Sequence, residues 1–225
     1  MTILSVLDAR QIPHEVRLDA ILQKLNSLKT GEGVVLVAPH APDQLMRKLL
    51  KEFPGRYDFS PGSRGPEAWR YHIVARQAGP RTVSGYLAWD HDRLDGIMEI
   101  ATKLAEQDQW PRAANVLAEF KEGLFRHIDI EEAILFPAFE ERTGMRDVGP
   151  TAVMRLEHVD IKEAVNDIAA AAKAKSLDDF ESAKGRLLGV LVEHNMKEEQ
   201  VIYPGVDQML DGASREQLVE KLLLG

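Results

Sequence analysis

The sequence predicts an α+β chain of two domains, a small two-layer α/β domain followed by an antiparallel four-helix bundle. Three observations carry this expectation. Short β-branched apolar runs alternate with helical spacing up to residue 76, and from Tyr86 onward the apolar spacing is almost purely helical. The charge divides at nearly the same place. Residues 1–80 hold 11 Lys and Arg against 8 Asp and Glu, a surplus of +3, whereas residues 81–225 hold 17 against 28, a balance of −11.

In the first domain, residues 1–76, "TILSVLDA" and "GVVLVAP" read as strands. "HEVRLDAILQKLNSL" and "PDQLMRKLLKEF" have helical spacing, and "AWRYHIVAR" alternates again, giving the order β-α-β-α-β-β. Residues 77–85 have the Gly, Pro and Ser content of a linker. The second domain, 86–225, is expected to hold helices near 86–107, 112–143, 150–174 and 178–209, with a short C-terminal helix near 213–223. Their breaks fall at "QDQWP", "RTGMRDVGP" and "AKSLDD", which supply proline, glycine or N-cap residues.

Composition excludes several functions. The chain has 225 residues, 44% hydrophobic, with a net charge of −8 and no cysteine. The absence of cysteine removes disulfides, thiolate metal sites, iron–sulfur ligation and thiol catalysis. An acidic second domain is a poor partner for nucleic acid or an anionic membrane. The beginning "MTILSVLDARQ" has no basic segment ahead of an apolar one, and no apolar run reaches membrane-spanning length. A cytoplasmic protein is the expectation.

Chemistry enters through a repeat. "HIDIEEAILFP", residues 127–137, returns as "HNMKEEQVIYP", residues 194–204. Positions i and i+4 share one helical face, so His127 with Glu131, and His194 with Glu198, each present an imidazole and a carboxylate together. His91 and His158 extend the pattern: they stand 67 residues apart, as do His127 and His194, and each lies 36 residues before its partner. The second domain is thus a duplicated helix hairpin. His91 lies about 16 residues before its turn and His127 about 15 after it. At about 1.5 Å rise per residue, the two return to one height on antiparallel helices.

A lone His-x-x-x-Glu is ordinarily a solvated pair. Four histidines and two glutamates in register are not, because carboxylates clustered in a core need compensating cations. Neutral imidazole and carboxylate suit first-row divalent ions such as iron, manganese or zinc. Six side chains exceed what one ion takes in a bundle but suit two ions bridged by carboxylates. The prolines Pro137 and Pro204 remove the hydrogen bond to the carbonyl four residues back, so a kink or break is expected just beyond the site. Ile134, Leu135, Val201 and Ile202 are expected to form a dry wall over the carboxylates. Asp90 and Glu157 precede ligand histidines, but neighbouring residues face different ways, so adjacency alone gives them no role.

With these residues in place, the segment 86–209 resembles the hemerythrin-like, or HHE cation-binding, family of non-haem di-iron bundles. The resemblance implies that His91 and His127 bind one iron and His158 and His194 the other. Glu131 and Glu198 would bridge the pair, with an oxo or hydroxo group completing it. Oxygen-carrying members have a further histidine one turn after the third-helix ligand, where this chain has Lys162. The pattern is therefore more similar to bacterial di-iron proteins linked to iron–sulfur centre repair under nitrosative or oxidative stress. Lys162 corresponds to Asp95 in the first repeat. The two read either as surface charges or as an ion pair beside an open metal position.

The implied ligands are oxygen, nitric oxide or peroxide, in stress sensing, detoxification or repair. Reversible oxygen storage and a redox-silent structural or metal-storage bundle are the alternatives. The first domain resembles small uncharacterised α/β domains joined to such bundles and similar in fold to bacterial sulfur carriers; "LDARQIP" and "APHAPDQL" carry the likeness. Sulfur carriers place a cysteine near His14, so its absence argues against sulfur transfer here. His14, His40 and His72 are expected at the surface or in caps, with His40 the best functional candidate in a loop after a strand. Docking of a protein partner, or sensing, is the expected use of this domain.

Overall fold

A computed structural model describes residues 4–65 and 67–225. They form two compact units, one of residues up to Arg81 together with Val219–Gly225, the other Thr82–Leu218.

The first unit is built on a four-stranded sheet. The strands are β1 (Leu4–Asp8), β2 (Gly33–Ala38), β3 (Tyr57–Arg64) and β4 (Trp69–Ala75), in the spatial order β1-β2-β4-β3. β1 and β2 are parallel, and β4 runs antiparallel to both β2 and β3. Thr2 and Ile3 of the expected first strand lie outside the described residues. The parallel pair is joined through α1 (His14–Asn26), as a crossover connection requires, and α2 (Asp43–Glu52) follows β2. α2 buries Leu45, Met46, Leu49 and Leu50, the i, i+1, i+4, i+5 stripe of an amphipathic helix. β2 is buried along its whole length, as its unbroken apolar run requires.

His72 corrects an expectation. It is 4% exposed on β4, opposite Val35 and Ser60, because β4 is buried on both faces from Tyr71 to Ala75. His14 and His40 are exposed, and His40 Nδ1 donates to the Ala41 carbonyl at 3.2 Å.

The second unit is helical throughout. α3 (Val83–Glu106) begins three residues earlier than the spacing predicts, because Thr82 caps it by accepting from Gly85 N at 3.0 Å. α4 (Trp110–Ile130) leads into α5 (Phe136–Thr143), α6 (Pro150–Ala174) follows, and α7 (Leu177–Lys197) leads into α8 (Tyr203–Met209). The last helix, α9 (Gly212–Leu224), belongs to this unit up to Leu218 and to the first unit from Val219. Leu94, Ile97, Leu117, Phe120, Ile161, Ile168, Phe180 and Leu187 belong to one continuous apolar core. Among the described residues, no helix is long and apolar enough to cross a membrane.

Neither proline-bearing helix breaks. A single π turn, Glu131–Leu135 or Glu198–Ile202, joins α4 to α5 and α7 to α8. Each starts at the glutamate of the repeat, so the distortion lies at the site and not beyond it. A proline cannot donate to the carbonyl four residues back and its ring crowds that carbonyl. The residue before each proline instead donates five residues back, Phe136 N to Glu131 O and Tyr203 N to Glu198 O.

Candidate metal centre

The six predicted side chains meet in the interior. His91 and His127 come from α3 and α4, His158 and His194 from α6 and α7, and the glutamates from the two π turns. His91 Nε2 and His127 Nε2 lie 3.2 Å apart, as do His158 Nε2 and His194 Nε2. Glu131 reaches across both pairs, with Oε1 3.5 Å from His127 Nε2 and Oε2 3.4 Å from His158 Nε2. Glu198 does the same in mirror fashion, with Oε1 2.9 Å from His194 Nε2 and Oε2 3.3 Å from His91 Nε2. Both glutamates are 0% exposed.

All four histidines are oriented from behind by a carboxylate that accepts from Nδ1. The pairs are His91 with Glu199 at 2.9 Å, His127 with Asp90 at 2.9 Å, His158 with Glu132 at 2.7 Å, and His194 with Glu157 at 2.9 Å. A proton fixed on Nδ1 leaves the Nε2 lone pair pointing inward. Sequence reasoning missed these partners. Asp90 and Glu157 serve not the adjacent histidine but the one on the neighbouring helix. The signal was present, since Asp90 and Glu157, and likewise Glu132 and Glu199, keep the 67-residue spacing.

The π turns explain two further differences. An extra residue in the turn rotates everything after the glutamate. Ile134 is only half-buried and Val201 is 52% exposed, so only Leu135 and Ile202 belong to the expected wall. Phe136 and Tyr203 turn inward instead. Phe136 stacks on His158 with ring centroids 5.6 Å apart, and Tyr203 Oη donates to Glu131 Oε1 at 2.7 Å. Read as an unbroken α-helix, residue 203 faces away from Glu198, so helical spacing conceals it.

The electrostatics follow from burial. Burial opposes the charged form of His127, but the charges of Glu131 and Asp90 outweigh it and push the pKa up to about 10. His91 and His194 are raised in the same sense, burial being outweighed above all by the Glu198 carboxylate that lies against both rings. Asp90 and Glu131 are held well below the ordinary range: burial would raise them, but Arg93 and His127 respectively prevail. Burial and the charges of both glutamates push Tyr203 well above its usual value, so its hydroxyl keeps its proton and donates. Lys162 faces outward, 3.7 Å from Asp129, which supports the reading of a surface charge.

The donor set fits cations. Two Nε2 lone pairs facing each other at 3.2 Å repel, so each pair needs a proton or a metal ion between its nitrogens. Glu131 Oε2 and both oxygens of Glu198 are buried and accept no hydrogen bond among the described residues. Such orphans are costly unless an ion compensates them. Two cation-sized groupings result, Glu131–His158–His194–Glu198 and His91–His127–Glu198, the donor atoms of each within 4.8 Å of one another.

A helical bundle with duplicated imidazole and carboxylate ligands at one level defines a cation-binding bundle protein. Comparison with known families agrees. Residues 83–206 match the hemerythrin HHE cation binding domain, and the chain belongs to that family. Residues 6–75 match an uncharacterized conserved protein family, DUF2249. The chain is 31% identical over 131 residues to the iron-sulfur cluster repair protein YtfE of Enterobacter sp. (strain 638), covering 51% of this chain. The match spans 60% of that relative's length. No solved structure matches the chain.

Proposed function

We propose that His91 and His127 hold one iron ion, that His158 and His194 hold a second, and that Glu131 and Glu198 bridge them. The observation that carries this reading is the pairing of inward Nε2 atoms around two fully buried glutamates with orphaned oxygens. Manganese or zinc would satisfy the same donors; the family match favours iron. A reduced metal pair bound there would supply electrons and an open Lewis-acid position to a small ligand. The protein supplies the rest. Four carboxylates hold the imidazoles in one tautomer, and Tyr203 offers an O–H donor on the His91–His127 side.

Access is narrow and apolar. A cavity of about 20 Å³ between Leu94, Leu124, Ile161 and Leu191 reaches His91, His127 and His194. Its size matches a single water or diatomic molecule. The reading is therefore a di-iron protein that binds or reacts with oxygen, nitric oxide or peroxide. Likeness to an iron–sulfur cluster repair protein supports cluster repair as the setting, with stress sensing or detoxification as the other uses of the same chemistry. Lys162 in place of a fifth histidine favours reaction over reversible carriage.

The test is optical. The protein is loaded anaerobically with ferrous iron and exposed in turn to oxygen, nitric oxide and peroxide, after which the ligand is removed. A visible band that persists until a reductant is added supports the reading. A band that vanishes on removing oxygen would establish reversible storage instead. Silence toward all three ligands would leave a structural or storage bundle.

A further inference from the structure

The two halves of the site share their histidines, glutamates and outer carboxylates, but one position differs. The residue five after each glutamate is Phe136 in the first copy and Tyr203 in the second. Both occupy the first residue after a π turn. Tyr203 places its hydroxyl 2.7 Å from Glu131 Oε1 and 3.4 Å from both His91 Nε2 and His127 Nε2. Phe136 holds the corresponding place against His158 and has nothing to donate. Glu198 Oε1, the counterpart of Glu131 Oε1, meets His194 Nε2 at 2.9 Å and accepts no hydrogen bond.

The carboxylate oxygens available to the two positions are therefore unequal. The His158–His194 pair faces Glu131 Oε2 and Glu198 Oε1, neither of which is hydrogen-bonded. The His91–His127 pair faces Glu198 Oε2 and Glu131 Oε1, and the lone pair of the latter is shared with a phenol O–H. A hydrogen bond to a ligating oxygen draws charge from it and weakens it as a donor, and such outer partners tune a metal site strongly.

Resting on the two-metal reading above, we infer that the two positions are unequal, that the His158–His194 position fills first, and that the Tyr203 hydroxyl separates them. Tyr203 acts through Glu131 as a positioning residue. A hydroxyl added at Phe136 would fall toward Glu198 Oε1 and cancel the bias, and exchange of both residues would reverse it.

The experiment is a titration of the metal-free full chain with Co(II), followed by visible absorption and calorimetry. The native protein takes up two ions in two resolved steps, further apart than statistics alone impose. Tyr203→Phe draws the steps together by about tenfold, the low end of what an outer partner of a ligand commands. Phe136→Tyr does likewise by loading the other side, and the double exchange restores two resolved steps. Circular dichroism checks that each variant is folded; if Phe136→Tyr does not fold, Tyr203→Phe decides alone. Two ions bound to the native chain in statistically equivalent steps, or an unchanged separation in Tyr203→Phe, overturns the inference and leaves the two-metal reading standing. Uptake of a single ion overturns that reading itself.

Discussion

The α3–α4 hairpin and the α6–α7 hairpin hold their histidines by the same device in different surroundings. In the first, Asp90 is fully buried and bonded to Arg93 Nε at 2.8 Å, a pair closed off from solvent. Gly123 makes room for that guanidinium, since a methyl group there would come within 3.1 Å of Arg93 Nη2. In the second, the equivalent Glu157 is 19% exposed and pairs with the half-buried Lys197. The ends of the hairpins match as well. Glu140 accepts from Thr151 Oγ1 at 2.8 Å and Arg155 Nη1 at 2.6 Å at the start of α6. Its counterpart Asp207 accepts from Val83 N, Ser84 N and Ser84 Oγ at the start of α3. Both copies therefore keep what orients a ligand or closes the bundle, and differ in how dry that support is.

The largest effect is expected from removing what the halves share. Glu131→Ala with Glu198→Ala should abolish binding of a metal pair, read by metal content per chain; two retained ions would refute the bridging roles. Next comes a contrast between the halves. Asp90→Ala leaves the Arg93 guanidinium buried without a counter-charge, which should cost about 3 kcal/mol in denaturant unfolding. Glu157→Ala removes a partly solvated acceptor and should cost at most about 1 kcal/mol. Equal losses would mean that burial does not distinguish the copies.

Smaller effects lie at the hairpin ends. Asp207→Ala removes three hydrogen bonds, two of them to backbone N–H groups that cap α3, and should cost about 2 kcal/mol. Glu140→Gln should cost about 1 kcal/mol. Burial raises the Glu140 pKa, but Arg155 and Thr151 outweigh it and hold it below its ordinary 4.5. Its stabilisation is therefore complete above the unfolded carboxylate pKa and lost as pH falls through the folded one. Thermal melts from pH 6 to pH 3 should show Glu140→Gln losing less stability than the native chain. Parallel slopes would contradict this assignment.

Much of this was legible in the sequence because a duplication prints each functional residue twice at one spacing. His91, His127, His158 and His194 could be aligned by number alone, and so could the glutamates of the two copies. The helical bundle followed from apolar periodicity and the Pro and Gly breaks. What stayed hidden depended on a local departure from the α-helix. The π turns rotate Tyr203 inward and Val201 outward, and no propensity marks a π turn beyond the proline that ends it. Asp90 was concealed for a different reason. Its partner His127 lies on the next helix, where only the packing of α3 against α4 reveals it. In the first unit, His72 read as a surface residue because its strand's sequence does not tell that both faces of β4 are covered.

The central claim is that this chain builds one centre for two metal ions. Mössbauer spectroscopy of the iron-loaded, oxidised protein, with iron counted per chain in the same sample, tests it most directly. Two irons per chain that are magnetically coupled to a diamagnetic ground state are the predicted result. One iron per chain, or two that behave as isolated paramagnetic ions, would contradict the account.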